Sequence, residues 1–386
     1  MDKRIFLILA FSMFASTLGI GIVIPLFPLY VKQMGASGLW IGLMFSAYAV
    51  SNSAFAPLFG RLADRRGRKW LLTFGLLAYA ILSLGYMFAG SVQQLALVRL
   101  LQGIAGAMTF PIANAYIGDL SPEEEEGRWM GYASAIFFSG FGLGPLIGGV
   151  ITAHFSMTAA FVTMGGFNFA AFLATLLFLP ESPKRGINGE DEDGLLQSFR
   201  KISKSSIVRG LLSYQMVYAL GSVGIVAFLP LLASRQGLDT TTIGILLTVN
   251  ILSTTLLIPL GGILADRLNR RIIIVICASL AVVLLPVLTL ANGVWQMVAV
   301  LVLLGMNNAI SMPCASALAV EEGRKFGMGS IMSTLFLASG IGMAIGPVIS
   351  GRIVDLFNIQ SVFYFSSAMW LFGLGAFAWF TRHRTS

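Results

Sequence analysis

Twelve times along the chain, an apolar stretch of about 20 residues recurs, the length needed to cross the hydrocarbon core of a bilayer as a helix. The stretches run over residues 5–31, 39–60, 70–90, 94–116, 128–152, 157–180, 208–234, 241–265, 271–292, 294–318, 326–351 and 359–381, numbered spans 1 to 12. A helix pairs its own backbone groups, so it can stand in lipid where an open strand cannot. Membrane β-barrels show alternating segments of about ten residues instead. Only 11% of the 386 residues are charged and 56% are hydrophobic. A soluble chain carries roughly 25% charged residues, so too few are present here to cover a water-facing surface. The expected fold class is therefore an all-α integral membrane protein.

Basic residues divide unequally between the two sets of alternating loops. Of the 25 lysines and arginines, Lys32, Arg235 and Arg352 fall on one side and Arg99 lies inside span 4; all the others fall on the opposite side. The positive-inside rule makes that basic side cytoplasmic. Both termini and the central loop are then expected in the cytoplasm, with the protein in the cytoplasmic (inner) membrane. The excess of +8 is accounted for by this asymmetry and calls for no nucleic acid. The first apolar run passes Pro25 and Pro28 without a break in hydropathy, too long for a cleaved leader, and is read as span 1. Cys277 and Cys314 fall inside spans with no metal-ligand neighbours and are expected to be packing residues.

The two halves repeat. Pro28 matches Pro230, Gly42 Gly244, Pro57 Pro259, Asp64 Asp266, Gly103 Gly305, Pro111 Pro313, Gly144 Gly346 and Pro145 Pro347, every pair 202 residues apart. Residues 181–207, the longest polar stretch, separate the copies. The expected organisation is an N-terminal six-helix bundle (1–180), a cytoplasmic linker (181–207) with a short amphipathic helix near 195–202, and a C-terminal six-helix bundle (208–386). Duplicated bundles of this kind mark secondary transporters, whose solute site lies near the midplane at the repeat interface.

Three motifs carry the chemistry. Between spans 2 and 3 stands Gly60-Arg61-Leu62-Ala63-Asp64-Arg65-Arg66-Gly67-Arg68-Lys69, echoed between spans 8 and 9 as Gly262-Ile263-Leu264-Ala265-Asp266-Arg267-Leu268-Asn269-Arg270-Arg271. Glycines at Gly60 and Gly67 allow tight turns and close helix approach. The Asp64 carboxylate can bind a helix N-terminus or the adjacent arginines, Arg65 and Arg68 among them. Span 4 holds Arg99, Gln102, Gly103 and Gly106. A buried arginine costs about 2.5–3.5 kcal/mol on insertion scales, so it needs partners, unless it snorkels to the nearby surface. Span 5 holds Gly140, Gly144, Pro145 and Gly148 on one helical stripe, where a neighbouring helix can pack and the helix can bend; span 11 repeats it at Gly342, Gly346, Pro347 and Gly351.

These motifs resemble those of the major facilitator superfamily, over essentially the whole chain. The span 5 motif is similar to the signature of its drug:proton antiporters, the twelve-span drug and metabolite efflux branch. The resemblance implies twelve transmembrane helices in two pseudo-symmetric six-helix bundles, acting by alternating access, with Gly60, Asp64, Arg65, Gly67, Arg68, Asp266, Arg267 and the span 5 and 11 Gly-Pro hinges as the conformational switch. It implies a transporter rather than an enzyme, a small-molecule substrate, the lipid bilayer as partner, a functional monomer and no cofactor beyond a proton gradient. It also implies that spans 1, 4, 7 and 10 line a central cavity, which here carries Thr17, Arg99, Gln102, Asn114, Tyr214, Gln215, Tyr218, Asn307 and Asn308.

The chain departs from the pattern in one respect. Every one of its 17 acidic residues falls in a loop or at a span end, and neither His154 nor His383 is mid-span. Proton-driven relatives usually carry an embedded carboxylate. Asp119 and Asp64 are the candidates for proton coupling here, and residues 123–126, four glutamates, are candidates to pair with Arg65, Arg66 or Arg68. Two functions stay open: proton-coupled export of small amphipathic molecules, and facilitated transport or import of an anionic or neutral metabolite bound at Arg99. A membrane enzyme or receptor has no recognisable Ser/His/Asp set, metal cluster or phosphate loop to support it.

Overall fold

A computed structural model describes residues 3–122, 125–181 and 205–382. Every element among them is helical. Twelve helices are long and apolar enough to cross a membrane: Lys3–Val23, Gly38–Arg66, Arg68–Phe88, Val92–Leu120, Arg128–His154, Met157–Phe178, Ser206–Arg235, Thr240–Arg267, Arg270–Leu290, Val294–Lys325, Ile331–Leu356 and Gln360–Thr381. They keep the order and the numbering of the twelve spans. Of the expected linker, residues 182–204 lie outside the described residues, and with them the proposed short helix.

Two compact units are present. One comprises Met1–Gly189 with Ala233–Thr248, the other Glu190–Leu232 with Val249–Ser386. In the first, span 1 packs on spans 5 and 6, span 2 on span 4, and span 3 on spans 4 and 6. In the second, span 7 packs on spans 11 and 12, and span 9 on spans 10 and 12. The repeated glycines do the same task in both units. A Cβ on Gly103 would collide with Ser51 Oγ and the Tyr48 carbonyl; on Gly305 it would lie 2.6 Å from Asn250 O and 2.8 Å from Ser253 Cβ, the residues 202 further on. Asn52 Nδ2 donates to Gly103 O at 3.2 Å, and Thr254 Oγ1 donates to Gly305 O at 3.1 Å. Two backbones without side chains between them can approach and share such bonds.

Proline interrupts the helices where the sequence places it, though not uniformly. Span 1 is helical over Lys3–Val23, turns at residues 24–26, and resumes as Phe27–Gln33, since Pro25 and Pro28 lack the N–H that continues a helix. The uninterrupted run expected over 5–31 is thus two pieces. Span 7, with Pro230 at the matching position, stays continuous by opening into a π-turn over Gly224–Phe228. Span 4 breaks at Met108 and Thr109 before Pro111, while span 10 carries Pro313 inside one helix, Val294–Phe326. The stripe of span 5 receives span 1. A Cβ on Gly140 would meet Thr17 Oγ1, on Gly144 the backbone of Gly21, and on Gly148 the Ile22 carbonyl. Pro145 and Pro347 both lie inside unbroken helices.

Candidate functional site

Helix ends and a glycine turn build a charged cluster at the end of the first unit. Gly67 takes φ +98°, a backbone region open to glycine, and lets span 2 turn directly into span 3. The turn brings Arg68 back over the preceding helix. Its Nη2 lies 3.2 Å from Asp64 Oδ1 and its Nε 2.7 Å from Asp119 Oδ2 at the end of span 4. The Arg68 and Asp119 side chains are only 7% and 12% exposed, so the pair is shielded from water and ties three spans together. Arg65 and Arg66 point outward and are exposed. Gly60 has nothing within 4 Å of the position of a Cβ. The close helix approach expected there is not seen at the Gly60 Cα, although Ala63, one turn on, is buried in the core of the unit.

Sequence reasoning overlooked Glu181. The residue follows span 6, and its Oε1 accepts a hydrogen bond from the Lys69 N–H at 3.1 Å, at the N-terminus of span 3. A Cβ on Gly67 would lie 2.7 Å from Glu181 Cδ, so the glycine also makes room for the carboxylate. Tyr116 Oη donates to Pro180 O at 2.5 Å and fixes the preceding residue. The available signal was an acid directly after an apolar span and a proline. Glu181→Ala is expected to lower stability by about 1 kcal/mol, the usual value of a helix cap, and to speed hydrogen exchange at the Lys69 amide. Exchange mass spectrometry reads both.

The second unit repeats the cluster in looser form. Arg270 lies 3.9 Å from Asp266 and 3.5 Å from Glu321, the counterpart of Asp119 in the repeat. Arg267 is exposed. Next to Glu321, Glu322 is buried at 1% exposure, receiving Ser205 Oγ at 2.6 Å and Lys325 Nζ at 2.7 Å. Glu125 bonds to Arg128 and Trp129 rather than to the arginines of the span 2–3 turn; Glu123 and Glu124 lie outside the described residues.

Arg99 is 3% exposed and faces into the first unit, so it does not snorkel to the surface. Its guanidinium lies 4.1 Å from the Phe27 ring, 5.4 Å from Phe45 and 5.8 Å from Tyr86. Nη1 donates to Gln102 Oε1 at 3.4 Å, and Tyr86 Oη donates to the same oxygen at 2.6 Å. Gln102 Nε2 points to Met164 Sδ, 3.9 Å away. The Arg99 Nε and Nη2 groups are buried with no hydrogen-bond partner. Cation–π contact is worth about 2 kcal/mol when desolvated, so the rings offset much of the insertion cost without any carboxylate. Gln102 was anticipated from helical spacing; Phe27, Phe45 and Tyr86 come from other spans and were not.

The other expected cavity residues divide. Thr17 is buried, donates to Met13 O and Phe14 O, and packs against Gly140, which makes it a helix-packing residue. Asn114 is half-buried. In the second unit Gln215 Nε2 donates to Ser339 Oγ at 2.7 Å, and Tyr218 Oη points to Met312 Sδ at 3.5 Å. Tyr214 stacks on Tyr218 at 6.2 Å between ring centres, and both meet Trp370 edge-on. Asn307 is buried with Oδ1 unpartnered, and Asn308 is half-buried. Cys277 and Cys314 are buried free thiols.

Twelve helical spans in duplicated units, with the paired charge clusters and the span 5 stripe, are the features of a membrane transporter. The family model of the Major Facilitator Superfamily matches residues 9–239 and 211–386, and the chain belongs to that family. It is 27% identical over 381 residues to the multidrug resistance protein MdtG of Proteus mirabilis, covering 96% of this chain and 94% of that one. It is likewise 27% identical over 385 residues to the quinolone resistance protein NorA of Staphylococcus aureus, with 97% and 95% covered. Among solved structures, the nucleoside transporter NupG superposes with a TM-score of 0.83 at 16% identity over both full chains, a likeness of fold.

Proposed function

We propose that this protein exports small amphipathic molecules across the cytoplasmic membrane by alternating access of its two six-span halves, in exchange for protons, as a monomer with both termini in the cytoplasm. The observation that carries this reading is the Arg68–Asp119 pair. It is shielded and joins the turn between spans 2 and 3 to the end of span 4, so a change of charge on Asp119 acts on the packing of these spans. Names given to the relatives, multidrug and quinolone resistance proteins, favour export and amphipathic cargo. Asp119 and Asp64 are the carboxylates proposed to take the proton. Protonation of Asp119 removes its charge from Arg68 and frees span 4. In everted vesicles a proton gradient is expected to drive accumulation of amphipathic dyes. Asp119→Asn should slow that accumulation about tenfold, equivalent to about 1.4 kcal/mol. Accumulation indifferent to the gradient would remove the antiport step.

The second reading, a facilitator or importer of an anionic or neutral metabolite, is favoured by Arg99. It is a buried cation with two unpartnered donor nitrogens, and the acids of the described spans all stand at span ends. Counterflow of a labelled carboxylate that persists without any ion gradient would select it.

A further inference from the structure

Span 8 begins inside the first unit, which takes in the chain as far as Thr248. In that part of the helix Thr240, Gly244 and Thr248 follow one another at intervals of four and form one stripe. The stripe meets span 5 beside Pro145. Thr248 Oγ1 accepts a hydrogen bond from the Leu146 N–H at 3.0 Å, and Thr240 Oγ1 donates to Gly149 O at 3.2 Å. Between these two bonds the main chains touch. A Cβ on Gly244 would collide with the Pro145 carbonyl oxygen and lie 3.3 Å from Leu146 Cα. A Cβ on Gly149 would collide with the Thr240 carbonyl oxygen and lie 3.1 Å from Thr241 Cα. Each helix thus offers a glycine to the other's backbone, and a threonine hydroxyl fastens the seam on either side of Gly244.

A threonine in a helix has an easier use for its hydroxyl. Thr255, further along span 8, donates to the Ile251 carbonyl of its own helix at 2.8 Å. Thr240 and Thr248 instead spend theirs on the backbone of another span. The duplication does not account for this. At the positions 202 residues earlier, span 2 has Gly38, Gly42 and Ser46. The glycine is kept, but Gly38 has no hydroxyl to give, and Ser46 Oγ is buried with no hydrogen-bond partner. The two fastenings therefore belong to span 8 and not to the common plan of the halves.

We propose that Thr240 and Thr248 are positioning residues that latch span 8 onto span 5 and set the share of time this seam spends closed. The inference rests on the alternating-access reading and adds to it the residues that weight one state. A helix pairs its own backbone, so the Leu146 N–H and the Gly149 carbonyl gain the threonine bonds as extras that last only while the helices touch. An average interhelical hydrogen bond within a membrane protein shifts an equilibrium about threefold. Two such bonds acting independently shift it about tenfold. Minor conformers commonly stand at about 0.1–10%, so a tenfold shift brings an open seam into the measurable range.

The test places spin labels on the full-length protein in nanodiscs, at the exposed positions His154 on span 5 and Ile245 on span 8, with Cys277 and Cys314 replaced by alanine. Pulsed electron resonance then reads the distance distribution across the seam. A main short component and a minor longer one are expected. Thr240→Val and Thr248→Val should each raise the ratio of long to short about threefold, and the double variant about tenfold. Thr240→Ser and Thr248→Ser keep the hydroxyl and should restore the original ratio, which a loss of methyl packing would not do. Thr255→Val, whose hydroxyl serves its own helix, should leave the ratio unchanged. If the double variant does not fold, Thr240→Val alone carries the test, since Thr240 stands at the start of the helix and is only half-buried. Two components whose ratio ignores both threonines, or responds equally to Thr255→Val, overturn the latch and leave alternating access standing. A single distance in every variant, at every pH and with or without an amphipathic dye, overturns both.

Discussion

Gly144→Leu is expected to yield no folded transporter, measured by size-exclusion in detergent and by transport in vesicles, whereas Gly60→Ala should leave both unchanged. The two glycines belong to two of the three motifs, but their surroundings differ. A Cβ on Gly144 would lie 2.5 Å from two backbone carbons of Gly21, and a Cβ on Gly21 2.9 Å from Gly144 Cα. Nothing flexible stands between them, so a side chain at either position must push spans 1 and 5 apart. Overpacking costs about 1–3 kcal/mol where side chains can adjust; here the obstacle is main chain, and a leucine adds several atoms beyond Cβ. A domain with about 5–15 kcal/mol in total loses most of its margin, and in lipid no hydrophobic force restores the contact, since close packing is itself what joins the helices. The second half provides an internal scale. A Cβ on Gly346 would lie 3.1 Å from Leu220 Cα, and one on Gly60 meets nothing within 4 Å. The loss of thermal stability should therefore fall in the order Gly144→Ala, Gly346→Ala, Gly60→Ala. Equal stability for the first and last would show that spans 1 and 5 do not touch at this glycine.

The spans were legible because lipid imposes one length and one polarity on each, a constraint that acts residue by residue. The duplication was legible because both halves solve the same packing problem, as Gly103 and Gly305 show against Ser51 and Ser253. What escaped was whatever depends on partners distant in sequence. Glu181 reads as the first residue of a polar linker until span 3 is brought beside it, 112 residues away. Phe27, Phe45 and Tyr86 are indistinguishable from lipid-facing aromatics until three spans converge on Arg99. Gly60 erred in the other direction: its motif suggested a close contact, but glycine spacing alone does not say which face has a neighbour. Proline likewise announced a disturbance without its form. Pro28 accompanies a break, Pro230 a π-turn, and Pro313 an unbroken helix, because the surrounding packing decides how the lost hydrogen bond is absorbed.

Arg99→Met should raise the unfolding temperature by several degrees and still abolish transport at all substrate concentrations. Two opposing terms decide the first half of that expectation. The rings of Phe27, Phe45 and Tyr86 and one long hydrogen bond to Gln102 hold the guanidinium. Against them stands the burial of a charge with Nε and Nη2 unpartnered. Unpartnered buried donors cost about 1–3 kcal/mol, more when charged, and replacing a buried charge by an apolar side chain of similar volume is often neutral or stabilising by about 1–4 kcal/mol. Methionine has the length and flexibility to fill the space among the rings. Gln102 loses little, because Tyr86 still donates to its Oε1 at 2.6 Å. Stability gained together with transport lost would assign the charge to the transport cycle rather than to the fold. Arg99→Lys distinguishes charge from shape: an ammonium keeps the charge but cannot lie flat on Phe27 or offer a two-pronged donor, so partial transport is expected. A methionine variant that transports normally would reduce Arg99 to a packing residue, and one that unfolds early would make the aromatic cage a structural strut.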